Sequence, residues 1–188
     1  MDAVHYGELR LVMPLDRETV TAKRLTASAD GTKLYLVTKE AEALFLTVLD
    51  CETMTQLHRI RMDCEEVPDI WEVENLLVLK YGKDTDDIRQ PVIQVLELSE
   101  NGCTMWPEMP LFPYIEGYWR GEPELAFDGR YLAVAVLQDE WITGSVRLAV
   151  YAKDGVAYVG DYHYSGDDIS RDLGVNDEHR LTLWWNRR

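Results

Sequence analysis

Residues Ser28 to Ile60, SADGTKLYLVTKEAEALFLTVLDCETMTQLHRI, decide the fold. Asp30-Gly31 is a turn pair in which Gly31 supplies the positive φ that side-chain-bearing residues avoid, and it opens onto the apolar run Leu34 to Val37. A second run, Leu44 to Leu49, is apolar at nearly every position, as expected of a strand covered on both faces. Asp50-Cys51-Glu52-Thr53 reads as a reversal. Beyond it Met54, Gln56, His58 and Ile60 alternate with Thr55, Leu57 and Arg59, the pattern of a half-buried outer strand. The stretch therefore predicts three antiparallel strands. The competing reading is a helix over Lys39 to Leu49, because KEAEAL is rich in helix formers.

The same pattern extends outward. Leu9 to Met13 and Val20 to Leu25 are short strand candidates upstream. Downstream, Pro68 breaks an acidic stretch, and Ile70, Val73, Leu76 and Leu77 would fit a helix. Leu76 to Leu79 followed by Tyr81-Gly82 fits a strand equally, and the strand is preferred because Val92 to Leu98 and the Asn101-Gly102 hairpin signal follow it, with Cys103 to Trp106 returning. MPLFPYIEGYWRGEPE then interrupts the pattern with Pro, Gly and aromatic residues and reads as an ordered loop. After it come Asp128-Gly129, Tyr131 to Leu137, Ser145 to Tyr151, the turn Lys153-Asp154-Gly155, Val156 to Tyr162 and finally Leu181 to Trp185.

First strands thus begin near Leu34, Leu76, Leu132 and Leu181, separated by 42, 56 and 49 residues. That spacing suits a sheet unit of roughly 40 to 50 residues carrying loop insertions. SADGTKLYLVT with LFLTVLDCET, and LAFDGRYLAVAV with VRLAVYAKDG, resemble blades of the WD40-like and TolB-like β-propellers, in which an Asp-Gly turn leads into one inner strand and the apolar run forms the next. The resemblance implies an all-β fold: a small or partial β-propeller of about four blade-like antiparallel sheets in one domain, residues 1–188, with a β-sandwich as the alternative. Trp-Asp and Gly-His dipeptides are missing, so the polar network of true WD40 blades does not carry over. About thirteen strands are legible where four full blades need about sixteen. Either Leu9 to Met13 pairs beside Leu181 to Trp185 and closes a ring, or the chain is an open piece of a larger one.

With 188 residues, 46% hydrophobic and 28% charged, the chain can bury a sizeable core. Its formal charge of -15 argues against nucleic-acid phosphates as a partner and favours a basic protein. No apolar run approaches a membrane span of about 20 residues, and MDAVHYGELR lacks the basic start and apolar stretch of a signal peptide, so a cytoplasmic location with no membrane contact is expected. If Asp50 opposes Thr53, positions pair when their numbers sum to 103; Cys64 then faces Lys39 and stands far beyond disulfide reach of Cys51 at the turn. The same register denies Cys51, His58 and Cys64 a shared zinc ion.

Catalytic signatures are absent: there is no Gly-x-Ser-x-Gly, His-Glu-x-x-His, phosphate-binding glycine loop or Cys-x-x-Cys. His5, His58, His163 and His179 stand in separate contexts, and Asp161, Asp167, Asp168 and Asp172 surround Gly166 without EF-hand order. No cofactor and no metal are expected. Tyr114, Tyr118, Trp119 and Arg120 bring together the residue types enriched at binding hot spots, on the segment that interrupts the repeat. The leading expectation is a non-catalytic protein-interaction module using those four residues. The alternatives are an acidic inhibitor or immunity-type protein covering a basic partner, and a hydrolase with carboxylates at the propeller mouth.

Overall fold

The computed structural model describes residues 15–16, 18–85, 88–99, 102–112, 123–139, 144–164, 169–175 and 181–187. Among these the chain is all β, with fifteen strands and no helix, in antiparallel sheets of which none closes into a barrel. Two compact units divide it, Met1–Val67 and Pro68–Arg188. The candidate strand Leu9 to Met13 lies outside the described residues.

The first unit is a four-stranded meander of β1 (Val20–Ala27), β2 (Lys33–Glu40), β3 (Ala43–Asp50) and β4 (Gln56–Met62). Gly31 has φ +72°, as the Asp-Gly pair predicts. Asp30 Oδ1 accepts hydrogen bonds from the Thr32 amide (2.9 Å) and the Ser28 hydroxyl (2.7 Å), and these hold its carboxyl down to about 2. On β2 and β3, Tyr35, Val37, Leu46 and Val48 bury one face while Leu36, Thr38, Thr47 and Leu49 bury the other. Apolar residues run on without alternation because both faces are covered.

The helix competing for Lys39 to Leu49 does not form. Glu40 pairs with Ala43 across a two-residue turn in which Ala41 takes φ +52°. The second turn departs from the expected one. Asp50 donates its amide to the Thr55 carbonyl, Met54 enters the left-handed region at φ +57°, and a bulge falls between Val48 and Leu49. Paired positions therefore sum to 106 over most of the hairpin (Leu44 with Met62, Val48 with His58), not 103, and Lys39 faces Leu44 rather than Cys64. The three cysteines still form no disulfide. His58 and Ile60 are half-buried and Met62 buried, while Leu57 points outward at 45% exposure.

In the second unit β5 (Asp69–Val73), β6 (Leu76–Thr85), β7 (Ile88–Ser99) and β8 (Gly102–Met105) form one meander, with β9 (Met109–Pro110) also pairing to β7. β10 (Glu124–Phe127), β11 (Leu132–Asp139), β12 (Gly144–Ala152) and β13 (Gly155–Tyr164) form the next, and β14 (Ile169–Val175) pairs with β15 (Leu181–Arg187). Of these, β5, β9, β10 and β14 were not expected as separate strands; β9 and the start of β10 fall in the segment that reads as an ordered loop. Ile70 and Val73 belong to β5, joined to β6 through a Glu74-Asn75 turn with Glu74 at φ +52°. Leu76, Val78, Ile93 and Val95 meet Leu132, Val134, Val136, Ala149 and Tyr151 in one core, completed by Trp106, Met109, Leu111, Phe112 and Phe127. The first strands are neighbours: β10 lies beside both β5 and β14.

The first and third meanders repeat one plan. Leu34 pairs with Leu49 as Leu132 pairs with Tyr151, and Ala27 pairs with Leu34 as Phe127 pairs with Leu132. The bulge between Val48 and Leu49 recurs at the matching place, between Val150 and Tyr151.

Candidate partner-binding site

Tyr114, Tyr118, Trp119 and Arg120 lie outside the described residues. What the structure shows is the base from which their segment departs. Trp106 donates its amide to the Val95 carbonyl at 2.8 Å, and Leu111 donates to the Pro91 carbonyl at 2.9 Å. Between them Met109 and Pro110 pair with Ile93 and Val92 as β9. Glu108 accepts from the Tyr81 hydroxyl at 2.7 Å and from Lys83 Nζ at 2.6 Å. Trp106, Met109, Leu111 and Phe112 are all buried.

Tyr151 closes this base from the neighbouring sheet. Its hydroxyl accepts from the Phe112 amide at 3.4 Å and donates to the Pro110 carbonyl at 3.2 Å. Burial pushes its phenol well above the ordinary tyrosine range, because a phenolate there would lose its hydration. Phe112 itself sits at φ +53°. The residues that precede the aromatic segment in the chain thus form a hydrogen-bonded, core-packed root. The sequence signalled the aromatic cluster but not its anchor, since Tyr151 lies on a strand 39 residues beyond Phe112.

A second feature belongs to the first unit. On one face of its sheet, Glu40 of β2, Phe45 of β3 and Arg59 and Arg61 of β4 come together. The Arg59 guanidinium lies 4.6 Å from the Phe45 ring centroid and is ion-paired with Glu40, whose carboxylate also accepts from the Thr38 hydroxyl at 3.3 Å. Beside them opens a pocket of about 550 Å³ lined by Thr19, Glu40, Ala41, Glu42, Ala43, Phe45 and Arg61. Sequence reasoning missed this group because the register summing to 103 sets Arg61 opposite Glu42; the observed register sets it opposite Phe45.

The remaining candidates disperse. Asp161 lies on β13 and is ion-paired with Arg147, Asp172 falls on β14, and Asp167 and Asp168 lie outside the described residues. Among the described residues no group of three or more His, Cys, Asp or Glu is placed to hold a metal ion, and no helix is long and apolar enough to cross a membrane. Asp16, Asp30 and Asp50 have lowered carboxyl pKa values, each caused by hydrogen bonds within its own turn. Among the described residues, the exposed large hydrophobic ones, Leu25, Leu57, Met105, Val156 and Tyr158, fall on first or last strands of their sheets.

No protein-family model matches the chain, and no curated protein matches its sequence. Among solved structures it is similar to a chain of Kuenenia stuttgartiensis hydrazine synthase, with a TM-score of 0.37 and 10% identity. The match covers 86% of this chain and spans 61% of that one.

Proposed function

We propose that the chain is a non-catalytic protein-interaction module on a β-propeller type of scaffold, and that it presents Tyr114, Tyr118, Trp119 and Arg120 to its partner. The observation that carries this reading is the root at Trp106–Phe112, held by β7, by Glu108 and by the Tyr151 hydroxyl immediately before the aromatic segment begins. A contact surface projected from a fixed base loses less conformational freedom on binding than one on a free linker. The propeller part rests on the recurring four-strand meander, its repeated bulge, and the neighbouring first strands β5, β10 and β14. Radially arranged blades bring their first strands together in this way.

The formal charge of -15 supports a second, compatible reading in which the partner is basic and is covered by an acidic inhibitor or immunity-type surface.

The test is to recover the partner from the native host, purify it, and titrate it against wild type and against the double variant Tyr118→Ala with Trp119→Ala. A loss of affinity of about tenfold or more is expected, the size of one to two hot-spot side chains. An unchanged Kd removes the segment as the binding site. Association that slows steeply between low and high salt supports the basic partner, and a flat salt dependence refutes it.

A further inference from the structure

We infer that the pocket beside Phe45 and Arg61 is a binding site for an apolar monocarboxylate, a single carboxylate carried on a hydrophobic body. The inference is independent of the aromatic segment and concerns the first unit alone.

It starts from a comparison of equivalent positions. In the third meander Arg147 of β12 faces Asp161 of β13, and the two form a closed ion pair through both Nε and Nη2. The matching positions in the first meander are Phe45 of β3 and Arg61 of β4. A phenyl ring thus stands where the repeat elsewhere supplies one member of an ion pair. The other charges at the pocket are already paired, Glu40 with Arg59 and Glu42 with Lys39 at 3.2 Å. Arg61 is exposed, and no hydrogen bond or ion pair joins it to the described residues. Among the described residues, one uncompensated guanidinium therefore remains at the wall of a pocket whose other lining charges are paired, in a chain of net charge -15.

The chemistry of the lining then selects the ligand. Phe45, Ala41 and Ala43 offer an apolar floor, and the ring is held in place by the Arg59 guanidinium above it. A guanidinium fork matches a carboxylate with two parallel hydrogen bonds. A phosphate dianion fits less well, because the single Arg61 guanidinium in the lining balances only one of its two charges. A pocket of about 550 Å³ suits a small organic acid, or equally the last side chain and terminal carboxylate of a peptide.

The experiment is a titration of the full-length protein at low salt, followed by amide chemical shifts, with 3-phenylpropionate and its neutral counterpart 3-phenylpropanol. Saturable shifts confined to Ala41–Phe45 and the Arg61 neighbourhood are expected with the acid, with at least tenfold weaker binding of the alcohol. Arg61→Gln should reduce acid binding at least tenfold without reducing that of the alcohol. Phe45→Asp, which places an acid opposite Arg61 and so restores a cross-strand ion pair, should abolish acid binding by occupying Arg61. Both substitutions lie on half-exposed or exposed positions, and an unchanged circular dichroism spectrum verifies the fold. Equal affinity for acid and alcohol, wild-type binding by Arg61→Gln, or shifts elsewhere would each overturn the assignment. A dipeptide ending in Phe distinguishes the sources. Tighter binding than phenylpropionate, lost on amidation, identifies a polypeptide C-terminus; equal or weaker binding identifies a free small acid.

Discussion

Removing one oxygen tests the anchored root. Tyr151→Phe keeps the ring in its place among Leu132, Phe112 and Trp106 but deletes the hydroxyl that bridges the Phe112 amide and the Pro110 carbonyl. Each intact bond contributes about 0.5–1.5 kcal/mol net, and a buried group left without a partner costs about 1–3 kcal/mol. Both bonds are long, at 3.4 and 3.2 Å, and Pro110 is only half-buried, so its carbonyl can recover water. The expected loss is therefore about 1–2 kcal/mol, against about 3–5 kcal/mol for Tyr151→Ala, which also opens a cavity. Urea unfolding followed by tryptophan fluorescence suits the measurement, since all six tryptophans lie within Pro68–Arg188 and the signal reports that unit. With a slope of about 2 kcal/mol per molar urea, the midpoint should fall by roughly 0.5–1 M at unchanged slope. Alkaline pH gives an independent arm. The folded phenol titrates above the unfolded one, so its contribution is complete below about pH 10 and is lost as pH rises beyond that. Wild type should lose stability there more steeply than Tyr151→Phe. A midpoint shift below 0.1 M, with parallel alkaline limbs, would refute the clamp.

Gly31→Ala should cost about 1–2 kcal/mol, because nothing lies within 4 Å of the added carbon and the whole penalty is the left-handed backbone at φ +72°; urea unfolding followed by far-ultraviolet circular dichroism measures it. Glu74→Gly, at an exposed residue already held at φ +52°, should by the same reasoning raise the stability of the second unit by about 0.5–1 kcal/mol. Asp30 titrates at about 2 when folded and at its ordinary value of 3.8 when unfolded, so its contribution is present above about pH 4 and disappears as pH falls toward 2. Asp30→Asn should flatten that part of the acid unfolding curve, and an identical acid limb would count against the Ser28–Thr32 turn network. Gly160→Ala places a methyl 2.2 Å from the Tyr158 hydroxyl, so the ring must leave and break its 3.0 Å bond to Tyr162. The Tyr162 phenol, raised chiefly by that bond, should then titrate lower in an ultraviolet pH titration, while stability changes by less than about 0.5 kcal/mol.

Much of the fold was legible because its turns are conventional at the places where glycine carries the positive φ. Gly31, Gly102, Gly129 and Gly155 each precede or begin a strand, and β2, β8, β11 and β13 follow them as the sequence implies. The misreadings and the competing readings cluster where another residue takes that conformation. Ala41 at φ +52° forms a β2–β3 turn within KEAEAL, which is why a helix competes there with the strand reading that the structure bears out. Met54 at φ +57° lengthens the next turn and moves the register by three. Glu74 at φ +52° conceals β5, whose Ile70 and Val73 would also fit a helix and do not read as a strand of their own. These residues hold a conformation costing about 1–2 kcal/mol because the strands on either side over-determine it, and local sequence carries no trace of that distant support. The Tyr151 clamp escaped for a related reason, as it joins two segments by tertiary packing alone.

The comparison of meanders also locates where chemistry can enter. The Ser28–Lys33 and Asp128–Tyr131 connections differ by two residues, yet each uses an aspartate oxygen to accept amides, Thr32 in one and Arg130 and Tyr131 in the other, and each delivers the next strand in the same register. Register is thus insulated from loop length, and the bulge after the third strand's core recurs unchanged. With the frame fixed, single positions can change their chemistry without moving their neighbours. Arg147 facing Asp161 is an ion pair through Nε and Nη2, whereas Phe45 facing Arg61 leaves an apolar ring beside an unmatched charge. The same logic applies to the insertion after Phe112. Its root is bound to the frame at β7 and Tyr151, so a change in the length or composition of the following segment leaves those core contacts in place. Function in this chain is therefore to be sought at positions where one copy of the repeat departs from another.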